Sequence, residues 1–72
     1  MNEATIKFIV SRVIENANDV LEEKKQNPND DFYKGHVMAY YEILDTIKNE
    51  LEAHDQDLKE YGLDIDLEKT FL

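Results

Sequence analysis

The sequence predicts an all-α fold, in which an antiparallel two-helix hairpin is followed by a short C-terminal helix and two copies pair into a dimeric four-helix bundle. Two apolar stripes with helical spacing carry this prediction, and a polar segment around Pro28, the only proline, separates them. Glycine occurs only twice, so few residues interrupt the helices. We expect a single helical-hairpin domain over residues 1–72, because a chain this short buries too little surface for two cores.

The first helix is predicted over about residues 3–25. Its apolar residues recur at alternating intervals of four and three, which places them along one side of a helix. These residues are Ile6, Val10, Val13, Ala17 and Val20. The polar segment 26–30 ends this helix, because proline disfavours a helical conformation in the residue before it. Asn29 or Asp30 can then cap the next helix.

The second helix is predicted over about residues 30–61. The same alternation continues through nine positions, and eight of the nine are apolar or aromatic. The positions are Tyr33, Val37, Tyr40, Leu44, Ile47, Leu51, His54, Leu58 and Tyr61. Such a long amphipathic helix requires a partner along its apolar side.

Glycine and aspartate mark the end of the second helix and the start of a third. Gly62 can adopt the left-handed conformation that closes a helix, so that Leu63 folds back on Leu58. Asp64 can cap the segment that follows, and a short C-terminal helix is predicted over about residues 64–71. The chain is therefore expected to reverse direction at Gly62.

Antiparallel pairing about Pro28 brings the two apolar stripes into register. It places Val20 beside Val37 at one end and Ile6 beside Leu51 at the other, and every matched pair is apolar. This agreement between two stripes predicts the hairpin. In this register the second helix extends about ten residues, ~15 Å, beyond the start of the first. We expect the C-terminal segment and a second chain to cover the overhang.

The sequence carries more apolar surface than one hairpin can bury. A second stripe runs beside the first on the predicted second helix, and Phe8 lies opposite the stripe of the first helix. We therefore predict a two-fold homodimer, in which small side chains such as Ala39 allow close approach and Gly35 can admit another backbone. The interface candidates are Phe8, Phe32, His36, Ala39, Ile43, Ala53, Leu58, Tyr61 and Phe71.

The charge of the chain excludes some functions. Seventeen Asp and Glu residues against eight Lys and Arg give a net charge of −9, which disfavours direct binding to nucleic acid because phosphate binding needs cationic side chains. The acidity keeps the protein soluble, or it forms a surface that mimics nucleic acid and binds a basic partner. No run of 18 apolar residues is present, so we expect no membrane span.

Two further observations bear on the cell compartment. The chain has no cysteine, which excludes disulfides and thiolate metal sites. Residues 1–10 lack the basic and apolar segments of a signal peptide. We expect a cytoplasmic protein.

Glu50, His54 and Asp57 follow one side of the predicted second helix and are weak candidates for metal binding. Carboxylates and imidazole are common ligands of divalent metals, but an acidic helix with one histidine produces this spacing by chance. Bundle metal sites use a Glu-x-x-His motif, which the chain lacks. A boundary histidine is the alternative interpretation, and we predict no cofactor.

No phosphate loop or nucleophile motif occurs, so the sequence does not predict an enzyme. The favoured hypothesis is a small acidic protein that acts as a dimeric interaction or regulatory module with a possible protein partner. One alternative is an acidic, nucleic-acid-mimicking inhibitor of a basic protein. A second is a helical-bundle protein that binds a metal or small ligand.

Overall fold

The computed structural model describes residues 2–72, and within this range the chain is helical with no β-strand. Helix α1 spans Glu3–Gln26 and helix α2 spans Asp31–Ala53. A 3-10 helix follows at Leu58–Tyr61, and the short helix α3 spans Leu67–Phe71. The two long helices form a hairpin, which confirms the predicted all-α fold. Within residues 2–72, no helix combines the length and the hydropathy needed to cross a bilayer.

Side chains cap both ends of α1, close to its predicted bounds. The Asn2 Oδ1 atom accepts a hydrogen bond of 2.8 Å from the backbone N–H of Thr5, which satisfies one free donor of the first turn. At the other end the Asn27 side-chain amide donates to the Glu23 carbonyl at 2.9 Å. The polar residues that flank the apolar stripe therefore fix the length of α1.

Asp30 caps the start of α2 and is one of the two caps that the sequence predicts. Its Oδ1 atom accepts from the backbone N–H of Phe32 at 2.9 Å. The helix then packs along α1, and the buried residues that join the two helices come from the predicted stripes. They are Val10, Ala17 and Val20 on α1, and Val37 and Leu44 on α2.

The second helix is shorter than the sequence predicts, because it ends at Ala53 and not near Tyr61. Asp55 takes a left-handed conformation, with φ 57°, and the Gln56 N–H donates back to the Leu51 carbonyl at 2.9 Å. Aspartate is one of the few residues that enters this region at modest cost. A continuous helix would leave Tyr61 in water beyond the start of α1, whereas the turn buries it against the hairpin. The predicted overhang is therefore absent.

Gly62 makes the predicted reversal, but it closes the 3-10 helix and not a long α2. Its φ is 73°, and its N–H donates to the Lys59 carbonyl at 3.2 Å. The Leu63 N–H donates to the Leu58 carbonyl at 3.0 Å, which completes a Schellman motif. Glycine is suited to this position because it has no Cβ to oppose the left-handed conformation.

The last helix, α3, begins later than the predicted range of 64–71. Asp66, and not Asp64, caps it by accepting from the Lys69 N–H at 3.2 Å. The preceding residues stay outside any helix, and the Lys48 ammonium donates to the Ile65 carbonyl at 2.8 Å. The non-helical stretch lets Leu63 and the residues of α3 reach the core in turn.

The segment 58–72 lies across one side of the hairpin, which we call the covered face. Its inward side chains are buried with Leu44 and Val10 in a single core. They are Tyr61, Leu63, Leu67 and Phe71. The C-terminal segment therefore covers the hairpin within its own chain, as the sequence predicts in part.

No segment of residues 2–72 covers the opposite side of the hairpin, which we call the open face. On α2, Tyr41 and Lys48 flank the buried stripe on the covered side, whereas Tyr40 and Ile47 flank it on the other. The open face comprises Ile6, Ile9 and Val13 of α1 together with Phe32, His36, Tyr40, Ile43 and Ile47 of α2. It runs along the long axis of a molecule that measures 39 × 19 × 15 Å.

Candidate interaction surface

The open face exposes large apolar side chains from both long helices. Phe32 is 67% exposed and Ile43 is 47% exposed, while Ile6 and Ile9 are also accessible on α1. Single exposed apolar residues are common on proteins, whereas several large ones on one side of a small domain are typical of interaction sites. The open face is therefore the leading candidate for a functional site.

An aromatic row stands at the Pro28 end of this face. The ring of Phe32 lies 5.4 Å from that of His36, and His36 lies 5.6 Å from Tyr40. Phe32 also meets Tyr33 edge to face at 5.2 Å. The four-residue spacing along α2 brings the rings together. Exposed rings of this kind offer a large apolar area for contact with another surface.

None of the eight residues of the open face has a carboxylate, although the chain has a net charge of −9. Seven are apolar or aromatic hydrophobic residues, and the eighth is His36. The cores of protein interfaces are likewise depleted in charged residues and enriched in aromatic ones. The composition of the open face is therefore similar to that of an interface core.

An open cleft of about 550 Å³ lies at the other end of the open face, between the start of α1 and the end of α2. We call it the end cleft. Its apolar walls are Ile6, Ile47, Leu51 and Tyr61, and its polar rim is Glu3, Thr46, Glu50, His54 and Gln56. The cleft exists because the 3-10 helix brings Tyr61 back towards α1, so sequence periodicity alone does not predict it.

The three metal candidates are not brought together. His54 Nε2 lies 3.8 Å from a carboxylate oxygen of Glu50, but Asp57 caps the 3-10 helix by accepting from the Lys59 N–H at 3.0 Å. In the part of the chain that the structure describes, no three His, Asp or Glu side chains form a group that could hold a metal ion. The spacing on a predicted continuous helix is lost at the Asp55 turn.

The predicted interface residues fall into separate locations. Phe32, His36 and Ile43 lie on the open face, with the exposed Ala39 and Ala53 beside or beyond it on α2. Three others belong to the core side of the chain, where Leu58 is half-buried and Tyr61 and Phe71 are buried. Phe8 is 65% exposed but projects from α1 opposite its buried stripe, away from the open face.

Sequence reasoning placed Ile6, Tyr40 and Ile47 inside the hairpin, whereas the structure leaves them at its edge, partly exposed. Ile9 extends the same edge on α1. A signal for this was present, because an apolar stripe wider than one contact leaves its margin uncovered. The open face therefore combines predicted interface residues with the margin of the predicted core.

The covered face differs from the open face in charge. Partial burial raises the pKa of the Tyr41 phenol, and the nearby carboxylates of Asp45, Glu68 and Asp66 raise it further. These acids come from α2 and from the C-terminal segment, so the covering of the hairpin concentrates negative charge there. An anionic phenolate is disfavoured in such surroundings.

Lys7 joins α1 to the 3-10 helix at the edge of the covered face. Its ammonium lies 3.1 Å from Glu3 and 3.3 Å from Glu60, and 5.7 Å from the centre of the Tyr61 ring. The hydrogen bond to Glu3 and then that to Glu60 raise the pKa of Lys7, although desolvation opposes them. The lysine thus balances two acids beside the end cleft.

The geometry defines a surface but assigns no chemistry to it. In comparisons with known proteins, no family model, no curated protein and no solved structure matches the chain.

Proposed function

We propose that this protein is a protein-interaction module that works as a homodimer, with the open face as its dimer contact. The observation that supports the proposal is the set of eight residues without a carboxylate on one side of the hairpin, which includes the 67% exposed Phe32. Burial of such side chains stabilises association by roughly 25 cal/mol for each Å² of apolar surface removed from water. No residue is assigned a catalytic role in this proposal.

The charge distribution favours a second copy as the occupant. Two chains with a net charge of −9 repel each other, and salt screens this repulsion only beyond about 8 Å at physiological ionic strength. The eight residues of the open face carry no carboxylate, so they can meet a second copy without bringing like charges together, and Glu3 and Glu50 stay at the rim of the end cleft. A basic partner would instead be recognised by carboxylates, and these border Tyr41 on the covered side.

The dimensions are also compatible with a dimer. The molecule is 39 Å long and 15 to 19 Å across, so one full side offers roughly 600–700 Å² before side chains are counted, near the ~800 Å² per partner of a standard interface. Two hairpins that meet through such faces form a four-helix bundle. The uncovered half of each hairpin core would be completed by the other copy.

Analytical ultracentrifugation of the wild type and of Ile43→Lys tests the proposal. We expect the wild type to sediment as a dimer and Ile43→Lys as a monomer, because a buried unpaired charge opposes association. Met38→Lys is the matched control, since Met38 is 43% exposed on the same helix but lies off the open face. It should remain dimeric, and Ala39→Arg should behave like Ile43→Lys.

Two results would contradict the proposal. One is a wild type that stays monomeric at the highest soluble concentration. The other is Ile43→Lys sedimenting like the wild type, with helical content unchanged by circular dichroism. If Met38→Lys also dissociates, the effect reflects added charge and not the open face, which again contradicts the assignment.

A second candidate function rests on the acids near Tyr41. Asp45, Asp66 and Glu68 concentrate charge on the covered face, which favours an acidic mimic of nucleic acid that occupies a basic protein. A complex of this kind should weaken steeply with added salt, whereas an apolar contact should change little. Binding to a basic protein that is insensitive to salt would remove this candidate.

A further inference from the structure

We infer that the dimer is crossed by a two-fold axis perpendicular to its helices, so that Phe32 of each copy fills the end cleft of the other. The inference rests on the proposed function and adds to it the direction, register and central contact of the interface. It follows from an exposed aromatic ring and an apolar cleft that lie on the same face of one chain, at opposite ends.

The positions of ring and cleft fix the register. Phe32 stands near the start of α2, and the cleft residues that α2 supplies lie between 46 and 54. When Phe32 lies opposite the cleft residues Leu51 to His54, the midpoint falls between Tyr41 and Ile43, about 14–16 Å from Phe32. An axis at this point superimposes each Phe32 on the cleft of the other copy, and both clefts are filled at once.

Only one of two possible symmetries brings these features together. An axis parallel to the helices places α1 of one copy over α2 of the other and leaves the two Phe32 rings at the same end of the bundle. An axis across the helices pairs α2 with α2 in antiparallel fashion and exchanges the ends. The second arrangement fills both clefts, whereas the first sets each cleft against an end of the other copy where no Phe32 lies.

The chemistry of the contacts agrees with this arrangement. The cleft has apolar walls at Leu51 and Tyr61, and its volume of about 550 Å³ accommodates an aromatic side chain. The same register brings His36 towards Glu50 of the second copy, where the imidazole N–H can donate to the carboxylate. Near the axis, the small Ala39 lets the two α2 helices approach closely.

Disulfide trapping tests the register, since the chain has no cysteine of its own. The double variants His36→Cys/Glu50→Cys and His36→Cys/Ile47→Cys place two thiols about 21 and 16 Å apart within one helix, too far for an internal bond. An axis across the helices brings the two thiols of different copies together. We expect at least one double variant to give covalent dimers under mild oxidation.

The single variants are the matched controls. In an antiparallel pair, the two thiols of the single variant His36→Cys lie about 16 Å or more apart, one in each copy. This variant should therefore form no covalent dimer. Single variants that cross-link as well as the double ones indicate parallel α2 helices and overturn the inference. A chain that sediments as a dimer when reduced but yields no cross-linked double variant also overturns it, while the proposed function stands. A monomeric wild type overturns both.

Truncation of the ring gives an independent readout without cysteines. Phe32→Ala should raise the dimer dissociation constant about 100-fold or more, because each dimer loses two buried aromatic anchors. Phe8→Ala is the control, since Phe8 is equally exposed but lies off the open face, and its dissociation constant should stay unchanged. Equal dissociation constants for Phe32→Ala and the wild type overturn the assignment of Phe32 to the cleft.

Discussion

The covered and open faces of the hairpin begin from the same two apolar stripes but differ in what completes them. On the covered face the chain supplies its own third layer, with Leu63 fully buried and Phe71 nearly so. On the open face no segment of residues 2–72 returns, and Ile43 stays 47% exposed. The comparison shows that the spacing of an apolar stripe does not by itself decide whether the stripe is buried. Burial depends on whether later residues can reach it.

The largest expected effect is a loss of stability on the covered face. Leu63→Ala removes a side chain with no exposed surface, so we expect the free energy of unfolding to fall by about 2–5 kcal/mol. Ile65→Ala, two residues away and 37% exposed, should cost far less. Urea denaturation followed by circular dichroism at low protein concentration measures both. Equal losses would show that the covered face is no better packed than its edge.

The next effect concerns the reversal that builds the covered face. Gly62→Ala places a Cβ on a residue with φ 73°, which should cost about 1 kcal/mol of stability. The added methyl would meet Ile14 Cδ1 at 3.5 Å, an ordinary contact, so the expected cost comes from the backbone and not from a clash. Thermal unfolding against the wild type measures it, and an unchanged melting temperature would contradict this account of the turn.

The other glycine should respond with the opposite sign. Gly35 is exposed within α2, and a Cβ added there meets no atom within 4 Å. Gly35→Ala should therefore raise the free energy of unfolding by about 0.5–1 kcal/mol, since alanine favours the helix. Urea denaturation checks the gain. If the variant instead weakens the proposed dimer in sedimentation, another backbone approaches Gly35, as the sequence suggests.

The smallest effect appears at alkaline pH and belongs to the covered face. Burial and the neighbouring acids raise the pKa of Tyr41 above 10.0, so the folded chain holds this proton more tightly than the unfolded chain. Its contribution to stability is therefore complete below about pH 10 and is lost as the pH rises through the folded pKa. Lys7, raised above 10.5, acts in the same direction.

A phenolate absorbance titration of the wild type against Tyr41→Phe checks the Tyr41 shift. We expect one tyrosine to ionise later than an unperturbed phenol, and we expect Tyr41→Phe to remove that late step. The Tyr40→Phe variant is the control, because Tyr40 lies on the open face. A late step that persists in Tyr41→Phe would contradict the assignment.

Local signals in the sequence predicted much of the fold. The bounds of α1, the cap at Asp30 and the left-handed Gly62 follow from side chains and backbone preferences within a few residues. The end of α2 could not be predicted in this way, because the apolar spacing continues through Leu58 and Tyr61. What ends the helix is the gain from packing Tyr61 on the hairpin, which is a tertiary effect.

The candidate site was predictable only in part, for the same reason. Phe32, His36 and Ile43 belong to a second stripe on α2, which depends only on the helical spacing of residues within α2. The end cleft depends on the return of Tyr61 towards Ile6, which the spacing of a continuous helix does not contain. The Glu50, His54 and Asp57 spacing failed for this reason too, since it assumed a helix through the Asp55 turn.

The left-handed conformation of Asp55 also determines whether the covering segment packs on its own chain or on another. Were this residue helical, α2 would run on through Tyr61 and carry the last residues roughly 12 Å further from their own hairpin. There they would lie away from the core of their own hairpin and could pack on another molecule instead, in a domain-swapped exchange. One aspartate therefore keeps the covering segment on its own chain, so that in the proposed dimer the C-terminal end provides no second, competing route to assembly.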